Sequence, residues 1–303
     1  MLRDADDMRH ALADALDRES LFLTVPLPDE GLNVHVYWWV DGEGRAGRVA
    51  GVFSDHDRRL LFDLQDGVDA RGRDFDDWDV AGLRARHTRP LEVAHVGYQG
   101  DGVAFEIEFE AIHRAFAYSE NRGGAPRAMG DDRFEQSGRV RGELRLPDRT
   151  IRFDTTGHRD HSWGRRDYQS IHHFKWISAQ TGTAEALNAF QLLSGGEQTV
   201  NGYLYRDRAL SPLVAMRSSV EYGERFVPRT MMTTVEDELG RTAVVHAERF
   251  SHLRWGAGSI VMDDFGCRVD VDGRSGAAHA GLAWTRDYVD GRLAPAAGKM
   301  RAG

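Results

Sequence analysis

The sequence of 303 residues contains a single cysteine, Cys267, and this scarcity limits the chemistry available to the protein. An intramolecular disulfide within this sequence is excluded, and so is a zinc cluster built from several cysteine thiolates. No run of apolar residues approaches the ~18 that a membrane-spanning helix needs. A Walker motif, a nucleophile elbow and a dinucleotide-binding fingerprint are also lacking. The sequence therefore gives no support for the classes that those motifs define.

Positive charge is in short supply too, since 48 Asp and Glu residues outnumber 39 Lys and Arg residues and give a net charge of -9. Phosphate backbones repel such a chain, so we expect no nucleic-acid partner. Only two lysines occur, Lys175 and Lys299. The first residues are acidic rather than apolar, which predicts no signal peptide. We expect a cytoplasmic protein without a transmembrane segment, for which a homodimer stays open.

Short β-type segments separated by turns are abundant. Residues 103–110 alternate strictly between apolar and acidic side chains, which is typical of a half-buried antiparallel strand. Similar segments recur from residue 33 to residue 271, with turn residues between them. Only the first residues differ, because Met8, Leu12 and Leu16 recur every four residues and predict a helix over Asp4–Asp17. We predict an all-β protein with domains at 1–150 and 151–303, each a barrel or sandwich, after a short N-terminal helix.

Groups that transfer protons near neutral pH are concentrated where these two halves meet. Residues 157–168 read GHRDHSWGRRDY, and HHFKW follows at 172–176. In an extended strand His158 and Asp160 share one face, whereas His161 and Trp163 share the other. His161 beside Trp163 would combine a general acid or base with an indole face that stabilises positive charge. This pairing suits an apolar substrate whose reaction passes through a cation.

The run RDHSWG at residues 159–164 resembles the hallmark of the AttH / carotenoid 1,2-hydratase (hydroxyneurosporene synthase) superfamily. Residues 134–140 and 201–207 resemble the strands that precede and follow that hallmark. The resemblance implies two lipocalin-like β-barrels with a pocket in or between them. It also implies cofactor-independent chemistry on hydrophobic molecules, namely hydration of isoprenoid double bonds, cyclisation or isomerisation.

The same resemblance implies functional residues. A His and a Trp two positions apart are implicated in the carotenoid hydratases, and they correspond to His161 and Trp163 here. Tyr205 and Asp207 repeat the spacing of a further Tyr and Asp pair of those enzymes. The match of Tyr205 and Asp207 lies farther along the chain and in turn-like surroundings, so carotenoid hydration is not singled out.

We therefore predict a lyase or isomerase, without cofactor or metal, that acts on a hydrophobic terpenoid, polyketide or aromatic small molecule by His-mediated proton transfer. His161 is the predicted general acid or base, and Trp163 is the cation-stabilising wall. Asp160 and Glu135 are the predicted orienting or proton-donating carboxyl groups. The predicted substrate-binding residues are Trp38, Tyr37, His172, Phe174, Lys175, Trp176 and Tyr205.

Three alternatives remain open at this point. A lipocalin-like barrel also suits a non-catalytic carrier of a hydrophobic ligand, in which His161 is simply a satisfied buried histidine. Lys175 offers a Schiff base if it is desolvated, and an ordinary solvated cation if it is not. A metal-dependent hydrolase or lyase is the third, because nitrogen and oxygen ligands are numerous in this stretch: His158, Asp160, His161, His172 and His173.

Overall fold

The computed structural model describes residues 2–55 and 58–293. It confirms an all-β protein, with two antiparallel sheets of eleven and nine strands that each form a barrel. The first sheet holds β1 Arg18–Leu27, β2 Leu32–Asp41, β3 Arg45–Phe53, β4 Arg59–Asp69, β5 Trp78–Val80, β6 Leu83–Arg89, β7 Val93–Gln99, β8 Ala104–Ala111, β9 Phe116–Ala117, β10 Asp132–Arg145 and β11 Thr150–Trp163.

The second sheet holds β12 Ile171–Gln180, β13 Glu185–Ser194, β14 Glu197–Arg206, β15 Ala209–Tyr222, β16 Pro228–Asp237, β17 Thr242–Arg249, β18 Leu253–Ala257, β19 Ile260–Val271 and β20 Arg274–Thr285. One α-helix, α1 Arg286–Leu293, follows β20. Single 3-10 turns lie at Asp4–Asp7, Pro28–Glu30, Tyr118–Glu120, Arg127–Met129, Tyr168–Ser170 and Glu224–Phe226. Across the described residues, no helix has both the length and the apolar character needed to cross a membrane.

The predicted N-terminal helix over Asp4–Asp17 is wrong. Only Asp4–Asp7 forms a helical turn, and Leu16, which the spacing placed on an apolar face, is 68% exposed. The polar side chains of this segment bind the first barrel instead. Asp7 accepts from both terminal nitrogens of Arg159 at 3.0 and 3.2 Å, and His10 Nδ1 lies 2.6 Å from Glu19 Oε1. These bonds to distant residues outweigh a weak local preference for helix.

The two sheets differ in whether strand pairing completes the ring. In the second sheet β17 pairs with both β16 and β19, so that the strands complete a ring. In the described part of the first sheet the outer strands β4 and β5 do not pair, but a side-chain bond links β4 to the other half of the sheet, since Asp63 of β4 accepts from Tyr98 of β7 at 2.6 Å. Separate apolar clusters fill the two barrels, and a third cluster lies between them.

The third cluster exists because the strands at the junction are buried on both faces. In β1, Leu21 and Leu23 point into the first barrel, whereas Phe22 packs towards the second. In β12, Phe174 and Trp176 face the junction, whereas Ile177 lies in the core of the second barrel. Alternation along each strand therefore serves one barrel and the junction at once.

The division expected between residues 150 and 151 falls at the start of β11. That strand pairs with β10 and β1 of the first sheet, and the chain passes to the second sheet between Trp163 and Ile171. The position of the boundary between two folding units stays a prediction.

Candidate active site

A cavity of about 250 Å³ lies between the two barrels. We call it the interbarrel cavity. Strands β1 to β4, β10 and β11 form one side, and strands β12, β13, β18, β19 and β20 form the other. Its wall is mostly aromatic and apolar, as in cavities that hold small organic molecules. The large side chains of the wall are Phe22, Tyr37, Trp39, Phe174, Trp176, Phe190, Trp255 and Met262.

Two acidic groups and one guanidinium form the polar centre of the first-barrel side. Arg133 Nη2 donates to Asp160 Oδ2 at 2.7 Å, and its Nε donates to Glu135 Oε1 at 2.6 Å. Asp160 and Arg133 line the interbarrel cavity, whereas Glu135 lies behind them and is fully buried. Burial raises the pKa of Asp160 to about 6 although Arg133 opposes the shift, and burial likewise raises the pKa of Glu135 to about 6 against Arg133. The pair can therefore hold or release a proton near neutral pH.

A chain of hydrogen bonds leads from Glu135 away from the cavity. Glu135 Oε2 lies 2.5 Å from His158 Nε2, and His158 Nδ1 lies 3.3 Å from Ser137 Oγ. Ser137 Oγ is 2.7 Å from the Tyr203 hydroxyl, which is 3.0 Å from Nε2 of the half-buried His113. Burial lowers the pKa of His158 to about 3, so its imidazole is neutral and both donates and accepts. The chain connects the buried carboxyl groups with the edge of the protein.

Arg18 supplies an uncompensated positive charge at the cavity wall. Its guanidinium carbon lies 4.3 Å from the centre of the Trp39 ring and 5.5 Å from that of Tyr37. Within residues 2–55 and 58–293 its Nε has no hydrogen-bond partner, and no carboxylate forms an ion pair with it. Burial raises the pKa of Tyr37, but Arg18, Ser20 and Arg166 outweigh burial and bring this pKa below its usual value. An oxygen atom with negative charge would be stabilised at this position.

Four of the residues predicted from the sequence line the interbarrel cavity: Asp160, Tyr37, Phe174 and Trp176. Glu135 lies one layer behind Asp160. What these side chains do there stays a prediction.

His161 and Trp163 lie on the opposite face of β11 from Asp160. His161 is fully buried, with its Nε2 2.7 Å from Glu19 Oε1 and the Phe75 and Phe134 rings edge-on at 5.3 Å. Trp163 stacks on His10 with ring centres 4.0 Å apart. Neither residue is among those lining the cavity. A catalytic role for His161 stays a prediction, and its packing supports a role in holding the N-terminal segment.

The other predicted binding residues are dispersed. Trp38 is buried in the core of the first barrel, on the opposite face of β2 from Tyr37, and His172 is exposed. Lys175 is half-buried and donates to the Ser218 carbonyl at 3.2 Å. The Tyr205 ring is half-buried, with its centre 5.0 Å from that of His113.

The five ligands weighed for a metal centre are not brought together. His158 and Asp160 face the junction and His161 faces the interior of the first barrel, because successive side chains of a strand alternate. His173 of β12 stacks on Trp284 with ring centres 3.6 Å apart. Two other groups place three possible ligands together, namely His10, Glu19 and His161, and His35, Asp264 and His279. Neither group was predicted from the sequence, and His161 is the one member of these groups that was weighed as a ligand.

Other cavity residues were missed as well. Alternation from Asp160 along β11 was a signal for Ser162, and alternation from Tyr37 was a signal for Trp39 in the wall. No local pattern marks Arg18, Trp255 or Asp264, because strand pairing between distant parts of the chain brings them here.

The two barrels have the AttH-like, lipocalin-like fold. A solved structure from Nitrosomonas europaea, NE1406, assigned as an AttH, has a TM-score of 0.63 at 14% identity and covers 89% of this chain and 93% of its own. CghA bound to Sch210972 has a TM-score of 0.62 at 13% identity, with 89% of each chain covered. A further structure of CghA has a TM-score of 0.61 at 14% identity, with 90% of this chain and 89% of its own covered. These likenesses establish the fold.

The chain belongs to the family described as Domain of unknown function (DUF7064), whose family model matches residues 3–286. Among curated proteins, none matches the sequence.

Proposed function

We propose that the protein is an enzyme that moves a proton on an apolar small molecule carrying a carbonyl or carboxylate oxygen, in the interbarrel cavity. The reaction class is that of a lyase or isomerase. One observation carries the proposal: Asp160, whose pKa burial raises to about 6 against Arg133, faces an aromatic cavity. A carboxyl group with such a pKa is suited to general acid or base catalysis at neutral pH.

Different parts of the cavity wall bind different parts of the molecule. The rings of Trp39, Phe174 and Trp176 accept a carbon skeleton. Arg18 and Tyr37 receive the oxygen function, because the Arg18 guanidinium has no carboxylate partner among the described residues. The molecule is thereby oriented with its oxygen towards a positive charge.

Proton transfer follows from this orientation. Ionised Asp160 takes a proton from the carbon next to the carbonyl group, and negative charge develops on the oxygen that Arg18 faces. Stabilising that charge lowers the barrier. Protonated Asp160 then returns the proton at another carbon, which gives an isomer, or to a departing hydroxyl group, which releases water. Glu135, which shares Arg133 with Asp160, and the neutral His158 behind it provide a route for the proton to be exchanged.

One structural neighbour supports small-molecule chemistry. CghA, whose fold matches over 89% of each chain, was solved with Sch210972. The likeness extends over both barrels, and the cavity described here lies between them.

The test is solvent deuterium exchange. Wild-type protein is incubated in D2O with a panel of apolar ketones and keto acids, and incorporation of deuterium is followed by mass spectrometry. We expect exchange with some members, and a loss of about 100- to 10,000-fold in Asp160→Asn with binding retained. Asp154→Asn, which makes the same change at a 50% exposed carboxylate of β11, is the matched control and should keep most of the exchange. Exchange that persists in Asp160→Asn would overturn the assignment, and binding without any exchange in the wild type would identify a carrier.

A further inference from the structure

A second cluster lies in the wall of the cavity and crosses the junction. His35 is on β2 of the first barrel, whereas Asp264 on β19 and His279 on β20 belong to the second. One ligand atom of each lies within 4.8 Å of the other two, and all three side chains are buried. His35 and Asp264 line the interbarrel cavity.

The spacing of these atoms fits a bound metal ion as well as it fits a long hydrogen bond. Asp264 Oδ1 lies 3.3 Å from His279 Nε2. Two ligands of a tetrahedral Zn²⁺ with bonds of about 2.0 Å are about 3.3 Å apart. The group formed by His10, Glu19 and His161 differs, because both imidazoles lie at hydrogen-bond distance from Glu19 Oε1, at 2.6 and 2.7 Å. Glu19 is therefore satisfied by its two histidines.

Neighbouring side chains orient the ligand atoms. Trp255 Nε1 donates to Asp264 Oδ2 at 2.5 Å, which leaves Oδ1 for another partner. His279 Nδ1 lies 3.1 Å from Thr24 Oγ1, and this hydroxyl is also within hydrogen-bond distance of the Asn33 side chain. In the tautomer that donates from Nδ1 to Thr24, the lone pair of His279 Nε2 is directed towards Asp264 and is available to an ion. Such second hydrogen bonds fix the ring orientation of metal-binding histidines.

His35 provides an independent observation. It is 2% exposed, and among the described residues neither of its ring nitrogens has a hydrogen-bond partner. Its ring is enclosed by Phe22 at 4.7 Å and Trp255 at 6.2 Å between ring centres. A buried polar nitrogen without a partner is unfavourable, so a group that this imidazole binds is expected.

From this geometry we propose that His35, Asp264 and His279 bind a divalent transition-metal ion of the zinc type, with a further coordination position towards the cavity. Two imidazoles and one carboxylate are a ligand set that proteins use for Zn²⁺ in sites with an open position. The ion joins the two barrels, because its ligands come from both sheets. It also presents a Lewis acid to an oxygen of a bound molecule. This site does not depend on the role proposed for Asp160.

The test measures metal binding, not activity. Tag-free protein is stripped with a chelator, dialysed and titrated with Zn²⁺ by calorimetry, and the ratio of zinc to protein is determined by elemental analysis. We expect one tightly bound ion and a higher thermal midpoint with Zn²⁺ than without it. His35→Gln and His279→Gln should weaken binding at least about 100-fold, whereas His10→Gln, in the other three-residue group, should bind as the wild type does.

Circular dichroism shows whether each variant is folded, and Co²⁺ titration of the wild-type protein provides a measurement that needs no variant. Bound Co²⁺ in a site of this kind should give visible absorption that added Zn²⁺ abolishes. The proposal is overturned if the wild type binds neither ion, if folded His35→Gln retains full affinity, or if His10→Gln is the variant that loses the ion.

Discussion

Arg133 and Asp160 face each other from neighbouring strands, and Arg133 Nη2 donates to Asp160 Oδ2 at 2.7 Å at the edge of the interbarrel cavity. The same guanidinium binds Glu135 at 2.6 Å, so that one cation serves two buried carboxyl groups. Burial, and for Asp160 also the negative charge of Glu135, disfavours full ionisation of the pair, whereas Arg133 favours it. This balance makes the polar centre sensitive to pH in the neutral range.

The rate of deuterium exchange should therefore depend on the ionisation of the Asp160–Glu135 pair. Because burial raises the pKa of each carboxyl group to about 6, the base is ionised above that pH. We expect the rate to rise with pH up to about 6 and then to level off. Arg133 lowers the pKa of both groups, so Arg133→Gln should move the rising limb to higher pH. If the rate rose over the same pH range in Arg133→Gln as in the wild type, this account would be contradicted.

Arg18 should determine which ligands bind. Its guanidinium has no carboxylate partner among the described residues. Arg18→Met should therefore weaken the binding of an apolar carboxylic acid about 10-fold or more, and should leave the binding of a hydrocarbon of the same shape unchanged. Equilibrium titration with matched pairs of ligands measures the difference. Arg152→Met, on the first sheet with an 85% exposed side chain, is the control and should change neither affinity. Equal losses for both ligands would show that Arg18 acts through packing alone.

Asp7→Asn should destabilise the protein by about 3 kcal/mol at neutral pH, because it leaves the buried Arg159 without its anionic partner. Burial opposes the ionisation of Asp7, but Arg159 and His87 outweigh it and bring the pKa far below its usual 3.8. Ionised Asp7 thus stabilises the fold above pH 3.8, and this stabilisation is lost as the pH falls further. Urea denaturation of both proteins as a function of pH should show the difference shrinking in acid. A difference that is constant with pH would be inconsistent with this charge effect.

Gly164 ends the RDHSWG run and adopts φ of 97°. A Cβ there would lie 2.3 Å from Asp131 Cγ. A strained backbone alone costs about 1–3 kcal/mol, and Gly164→Ala should destabilise the protein by more than this because of the added contact. Gly182 is a matched control, because its φ is 111° and nothing lies within 4 Å of its Cβ position. Thermal denaturation of the two variants separates the contact from the conformation, and equal losses would rule out a role for the contact.

The strands were predictable because their alternation is local. Residues 103–110 alternate in the sequence, and β8 spans Ala104–Ala111. The irregular course of the N-terminal segment was not predictable, since the bonds of Asp7 to Arg159 and of His10 to Glu19 depend on residues elsewhere in the chain. A spacing of four residues carries no information on such partners.

The candidate site was predictable only in part, for a related reason. Alternation separates Asp160 from His161, but it does not tell which face meets a cavity. That depends on where β11 lies between the barrels, with Asp160 opposite Phe22 of β1. His35, Asp264 and His279 come from three strands, and only the assembled sheets show their proximity.

The pairing of β1 with β11 has a consequence for how the protein is made. Ser20 and Ser162, whose hydroxyl groups lie 3.1 Å apart across these strands, are separated by 142 residues of sequence. Contacts of such long range form slowly, because much of the chain must be ordered first. During synthesis on the ribosome, β1 cannot pair with β11, its second neighbour, until β11 has emerged. A nascent chain released near residue 150 would expose that edge of β1 together with Phe22, and such an edge is a template for association with other chains.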